Sequence, residues 1–134
     1  MTTRDVYIRQ YDWMLHLFLD VNPEYLYEVV TKMDDVAISS HIIRRVALLI
    51  KHSEYDYGLT ATNSSLRETV MVVGESSSRE EFLNTLQHEV RHLVDDIAEC
   101  DSINPYGEEV GYITGTINTL LAQNIDQYFC KCQE

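Results

Sequence analysis

Apolar side chains recur at helical spacing through most of the first 55 residues. The spacing predicts an amphipathic helix over residues 4–20, and then a second helix that Asn22 caps and Pro23 opens. A third helix is predicted over residues 36–52. The inward positions of the three helices are Tyr7, Tyr11, Met14, Leu15 and Phe18, then Leu26, Val29, Val30 and Met33, then Ile38, Ile42, Ile43, Val46, Leu49 and Ile50. We therefore expect residues 1–55 to form a helical N-terminal part.

The pattern changes between residues 59 and 73. Two short segments rich in Thr and Val, residues 59–62 and 69–73, lie on either side of the turn-prone Asn63, Ser64 and Ser65. Such segments, joined by a short polar turn, are typical of a β-hairpin. We expect a small antiparallel sheet here.

Two longer helices are predicted after the hairpin. Ser78 followed by Glu81 is a capping-box pattern, which indicates the start of a helix over residues 78–100. A last helix is predicted over residues 108–128. Without internal repeats or linkers, residues 1–134 are expected to form one domain. Its class is α+β, dominated by helices, with the hairpin next to the helix at 78–100.

The composition of the chain limits which binding partners and which cellular compartment we expect. The net charge is -12, from 22 acidic and 10 basic residues, and this charge would repel the phosphates of a nucleic acid. No apolar run is long enough to span a membrane, and the N-terminus lacks the pattern of a secretory signal. The chain has three cysteines, an odd number that favours a reducing compartment. We expect a soluble cytoplasmic protein, with Cys130 and Cys132 at a frayed helix end instead of a metal site.

The segment His88–His92 has the sequence HEVRH, an H-E-x-x-H motif inside the predicted helix. Side chains four residues apart lie on one face, so His88 and His92 can bind one zinc ion. Glu89 can then act as the general base for a water on that ion, the arrangement that hydrolyses amide bonds. Chance would produce the motif roughly 0.02 times in a chain with this His and Glu content.

The core face of this helix is centred on Val90, and both histidines lie about 160° away from it. They are therefore expected to face a cleft or solvent. Asp96 lies one turn past His92, about 6 Å further along the axis, too far to converge well with both imidazoles. We interpret Asp95 and Asp96 as surface charges or as groups that hold the ligands from behind.

A third protein ligand is expected from the last helix. Glu108 and Glu109 stand at its start, and either carboxylate would complete a set of two histidines and one glutamate. Glu109 is preferred because it lies at the edge of the apolar stripe and can turn inward. Glu108 becomes the ligand instead if the small residues on its side, Gly111 and Gly115 among them, pack against the histidine helix.

HEVRH followed by GEEVGYITG resembles the gluzincin branch of the zincin metallopeptidases. The element order is similar to that of minimal zincin domains such as the ImmA/IrrE type. The resemblance implies that the strand at Thr69–Val73 binds an extended polypeptide substrate by strand addition. It also suggests that the Tyr112 hydroxyl stabilises an oxyanion, although a packed helix tyrosine is the alternative interpretation.

The sequence thus predicts a zinc metallopeptidase, with Zn²⁺ as its cofactor and Glu89 as its catalytic base. One alternative is a zincin-like module that binds zinc, hydrolyses nothing and regulates another protein. A second alternative is a metal-free helical interaction protein whose acidic surface meets a basic partner.

Overall fold

The computed structural model describes residues 1–129, so the predicted end at Cys130 and Cys132 lies outside the described residues. This part of the chain forms a four-stranded sheet and four α-helices of the expected α+β class. The elements are β1 (Thr2–Ile8), β2 (Trp13–Val21), α1 (Leu26–Asp35), α2 (Ser40–His52), β3 (Gly58–Asn63), β4 (Glu68–Gly74), α3 (Arg79–Cys100) and α4 (Glu108–Asn124). None of the described helices is both long enough and apolar enough to cross a membrane.

The sheet has the strand order β1-β2-β4-β3. Both outer pairs are antiparallel, with Val6 opposite Leu15 and Ala61 opposite Val70. The central strands β2 and β4 are parallel, with Leu15 opposite Thr69. The sheet is thus mixed and larger than the expected hairpin, and its two edges are β1 and β3.

Helices cover both faces of the sheet. Helices α1 and α2 pack on one face, where the buried residues include Val29, Val46 and Val72. Helices α3 and α4 pack on the other face, with α3 against β3 and β4 and α4 against β1. The buried residues on the α3 and α4 side include Trp13, Leu15, Leu17, Leu86, Val90, Leu93, Ile113, Ile117 and Leu121.

The predicted helix over residues 4–20 is wrong. Residues Thr2–Ile8 and Trp13–Val21 are strands, joined by a tight turn in which Asp12 has a left-handed φ of 49°. β2 is covered on both faces, so nearly every side chain in it is buried and the two-residue alternation of a half-exposed strand is lost. The remaining apolar positions matched a helical period by coincidence. The expected helical N-terminal part therefore begins only after Val21.

The other elements agree with the predictions, with shifts at their ends. Asn22 caps a single 3-10 turn that Pro23 opens, and α1 follows it. α2 begins at Ser40, four residues later than expected, because Ser39 caps it. The hairpin is confirmed as β3 and β4. α4 ends at Asn124 and is followed by a 3-10 turn.

Arg67, in the turn between β3 and β4, ties this hairpin to two other parts of the fold. Its guanidinium makes two hydrogen bonds with Asp101 at the end of α3, at 2.7 and 3.0 Å. It also donates to the backbone oxygen of Asp12 at 3.1 Å and lies 5.0 Å from the ring centroid of Trp13. A planar cation with several donors suits such a junction. The tip of the hairpin is thereby held in place.

His16 bridges three strands through its ring. Its Nδ1 lies 2.8 Å from Asp5 Oδ1 on β1, and its Nε2 lies 2.7 Å from Glu68 Oε1 on β4. The residue is only 7% exposed. Both carboxylates would face an empty space if the ring were removed.

We expect His16→Ala to lower the free energy of unfolding by about 1 kcal/mol, because the buried ring loses its part-buried contacts with Asp5 and Glu68. Urea denaturation measures the change. His41→Ala, at an exposed position on α2, is the control and should change stability by less than about 0.5 kcal/mol. Equal stability of the two variants would show that the His16 contacts contribute nothing.

Candidate metal centre

Helix α3 carries the H-E-x-x-H motif, and local interactions fix where it begins. The Ser78 hydroxyl accepts a hydrogen bond from the backbone nitrogen of Glu81 at 3.1 Å, as the capping pattern predicts. Val90 and Leu93 are buried beneath the helix, whereas His88 and His92 are exposed on its other side. The helix therefore presents both imidazoles away from the core, as expected.

The two imidazoles converge. His88 Nε2 and His92 Nε2 are 3.2 Å apart, and the ring planes meet at 80°. Two nitrogens bound to one tetrahedral zinc at 2.0–2.1 Å are separated by roughly 3.3–3.4 Å. The pair is thus spaced as two ligands of one metal ion, and in the absence of metal the same distance lets one ring donate a hydrogen bond to the other.

Glu89 lies between α3 and the edge strand β3. It is 4% exposed, and the Thr60 hydroxyl donates to its Oε1 at 2.8 Å. A Cβ atom at Gly58 would lie only 2.9 Å from both Cγ and Oε2 of Glu89. The carboxylate therefore occupies space that exists because residue 58 has no side chain.

These groups line a cleft of about 300 Å³ between α3, β3 and α2. Its lining residues are Ile42, Arg45, Gly58, Leu59, Thr60, His88, Glu89, His92 and Asp96. The cleft brings the two imidazoles, the buried carboxylate and the backbone of an edge strand to one place. Arg45, on α2, adds a positive charge to the wall of the cleft. Its position near the motif was not predicted from the sequence.

Asp96 belongs to the cleft and is not a plain surface charge. The Thr62 hydroxyl donates to its Oδ2 at 2.6 Å. Burial raises the pKa of the Asp96 carboxyl, while the Thr62 hydrogen bond and the nearby His92 lower it. From His88 to Asp96 the helix rises by about 12 Å, so one ion cannot bind His88, His92 and Asp96 together. Asp95 lies on the other flank, paired with Arg91 at 3.0 Å.

The structure does not bring either predicted third ligand to the histidines. Gly111 and Tyr112 of α4 line a groove with Gln10, which places the start of α4 beside the turn between β1 and β2. Glu108 is exposed. Because α4 packs over β1, at the edge of the sheet opposite to β3, its first turn lies away from the cleft.

Glu108 was expected to be the ligand only if the small residues on its side of α4 packed against α3, and they do not. A Cβ atom at Gly111 or Gly115 would have nothing within 4 Å, so the small face of α4 is open and does not pack on α3. Among residues 1–129, no three His, Cys, Asp or Glu side chains are grouped so as to hold a metal. Of the residues predicted to bind the metal, His88 and His92 lie close together, and neither Glu108 nor Glu109 lies in the cleft that they line.

Two further expectations are corrected. Thr69–Val73 lies within β4, which is hydrogen-bonded on one side to β2 and on the other to β3. It has no free edge for an added strand; the edge beside the histidines is β3. Tyr112 is 67% exposed and lines a separate groove on the outer face of α4 with Gln10, so it does not reach the histidine cleft.

No protein-family model, no curated protein and no solved structure matches this chain. The resemblance to the gluzincins therefore rests on the motif and the element order alone.

We expect Gly58→Ala to lower the free energy of unfolding by about 1–3 kcal/mol, since the added Cβ overlaps Glu89 and Thr85. The matched control is Gly115→Ala in the open middle of α4. This change should raise stability, by up to about 1 kcal/mol, because alanine favours helix. Thermal denaturation of the two variants measures both shifts. Equal and stabilising effects would show that α3 and β3 are not in close contact at residue 58.

Proposed function

We propose that this protein is a zinc-dependent peptidase in which His88 and His92 bind the metal and Glu89 is the general base. The observation that supports this most strongly is the 3.2 Å separation of the two Nε2 atoms, with the carboxylate of the intervening glutamate buried in the same cleft. Zinc, when bound, supplies a Lewis acid and lowers the pKa of a water molecule from 15.7 to about 7.

Glu89 would take the proton of the attacking water and return it to the leaving amine. The Thr60 hydrogen bond occupies its Oε1 and limits rotation of the carboxylate. The close backbone at Gly58 limits the side chain on the same flank. Both contacts reduce the number of positions from which Glu89 can accept a proton, which favours catalysis by orientation.

The substrate we propose is an extended polypeptide that pairs with β3. This strand forms an edge of the sheet, and its residues Gly58–Thr60 line the cleft. Strand addition supplies affinity through backbone hydrogen bonds, and it would hold the substrate alongside β3, next to the histidines. A polypeptide therefore fits this cleft better than a compact small molecule does.

A second candidate is a zinc-binding module that does not hydrolyse peptides. The specific observation in its favour is that neither Glu108 nor Glu109 lies in the cleft lined by His88 and His92. Catalytic zinc sites usually have three protein ligands. A site with two imidazoles can still bind metal and interact with a partner.

The test combines metal analysis with cleavage of an unfolded protein substrate. We expect one zinc ion per chain after dialysis against zinc, and its loss in His88→Ala. Glu89→Gln should keep the metal and reduce the rate of cleavage by 10²–10⁴-fold, the usual contribution of a general base. Glu99→Gln, an exposed glutamate of the same helix, is the control and should cleave as the wild type does.

The other outcomes separate the candidates. Equal cleavage by the wild type and Glu89→Gln contradicts the proposed mechanism. Stoichiometric zinc without any cleavage supports the silent module. Absence of bound zinc in the wild type, with no effect of His88→Ala, would leave the acidic interaction protein as the better description.

A further inference from the structure

A chain of hydrogen bonds runs from the core of the sheet to Asp96. Trp13 Nε1 lies 2.9 Å from Thr69 Oγ1, and Thr69 Oγ1 lies 2.8 Å from Thr62 Oγ1. Thr62 Oγ1 lies 2.6 Å from Asp96 Oδ2. Trp13 and Thr69 are completely buried. The chain therefore links α3 to the interior through three strands.

The direction of these bonds follows from what each group can donate. The indole nitrogen of Trp13 is a donor only, so Thr69 accepts from it. Thr62 uses its single hydroxyl hydrogen for Asp96, so Thr69 must donate to Thr62. Every bond thus points toward Asp96, and the carboxylate is the final acceptor. This arrangement fixes the orientation of Asp96 from the core outward.

Among the described residues, no direct hydrogen bond joins the Asp96 carboxylate to His92. The two residues are one helical turn apart and line the same cleft. His92 Nε2 is directed at His88, which leaves Nδ1 on the other side of the ring. Asp96 Oδ1 has no hydrogen-bond partner among the described residues, because the one bond to this carboxylate is made at Oδ2.

We propose that Asp96 is a positioning residue for the metal centre. In this proposal a water molecule accepts the Nδ1 proton of His92 and donates a hydrogen bond to Asp96 Oδ1, while His92 Nε2 binds the metal. A carboxylate behind a histidine ligand fixes the tautomer and the ring orientation, and its loss typically reduces metal affinity 10–100-fold. The inference rests on the proposed binding of metal by His88 and His92.

Competition with a chromophoric chelator measures the affinity of the full chain for zinc. We expect Asp96→Asn to weaken zinc binding by about 10–100-fold. Thr62→Val, which keeps the charge of Asp96 but ends the hydrogen-bond chain, should cause a smaller loss. The double variant should bind zinc no more weakly than Asp96→Asn alone, since both changes act through one group.

Asp95→Asn is the matched control, because it removes the same charge from the neighbouring position of the same helix. It should change zinc affinity by less than twofold. Thermal denaturation of each metal-free variant separates folding from binding: a purely structural Asp96 would lower the melting temperature and leave the affinity of the folded protein unchanged.

Three results would overturn the inference, and they are distinguishable. Wild-type affinity in a folded Asp96→Asn variant removes the role of Asp96 and leaves the proposed function intact. Failure of the wild type to bind zinc removes both. Equal losses in Asp95→Asn and Asp96→Asn would also contradict it, because general charge would then explain the effect.

Discussion

The close approach of α3 to the edge strand β3 determines the arrangement of polar groups in the histidine cleft. Residues that face α3 from β3 are Gly58, Thr60 and Thr62, two positions apart as the strand geometry requires. The first leaves space for Glu89, the second donates to it, and the third donates to Asp96. One strand thus orients two carboxylates of one helix, while the helix directs its two imidazoles to the open side.

The H-E-x-x-H motif and its helix could be predicted from the sequence because their signals are local. A capping serine, a periodic apolar face and two histidines four residues apart all lie within one stretch of chain. The hairpin was also predictable, from short Thr-rich and Val-rich segments around a polar turn. In each case the neighbours along the sequence are the neighbours in the structure.

The rest depended on packing between distant segments. β2 is buried on both faces, so its sequence is apolar almost throughout. The spacing of its apolar residues therefore could not distinguish a strand from a helix. The place of Glu109 depended on which edge of the sheet α4 would cover, and the sequence contains no local signal for that choice. Thr60 and Thr62 are two residues apart, so they are expected on one face of a strand. Their contact with α3 can be inferred only when β3 is known to be the edge strand.

The anchoring of the hairpin tip by Arg67 has a consequence for how the cleft receives a ligand. β3 is bonded along its length to β4, and its turn is fastened to the end of α3 through Asp101. These contacts therefore hold β3 in place independently of any ligand. If a peptide pairs with β3 as proposed, the entropic cost of association would fall mainly on the peptide, because β3 is already ordered.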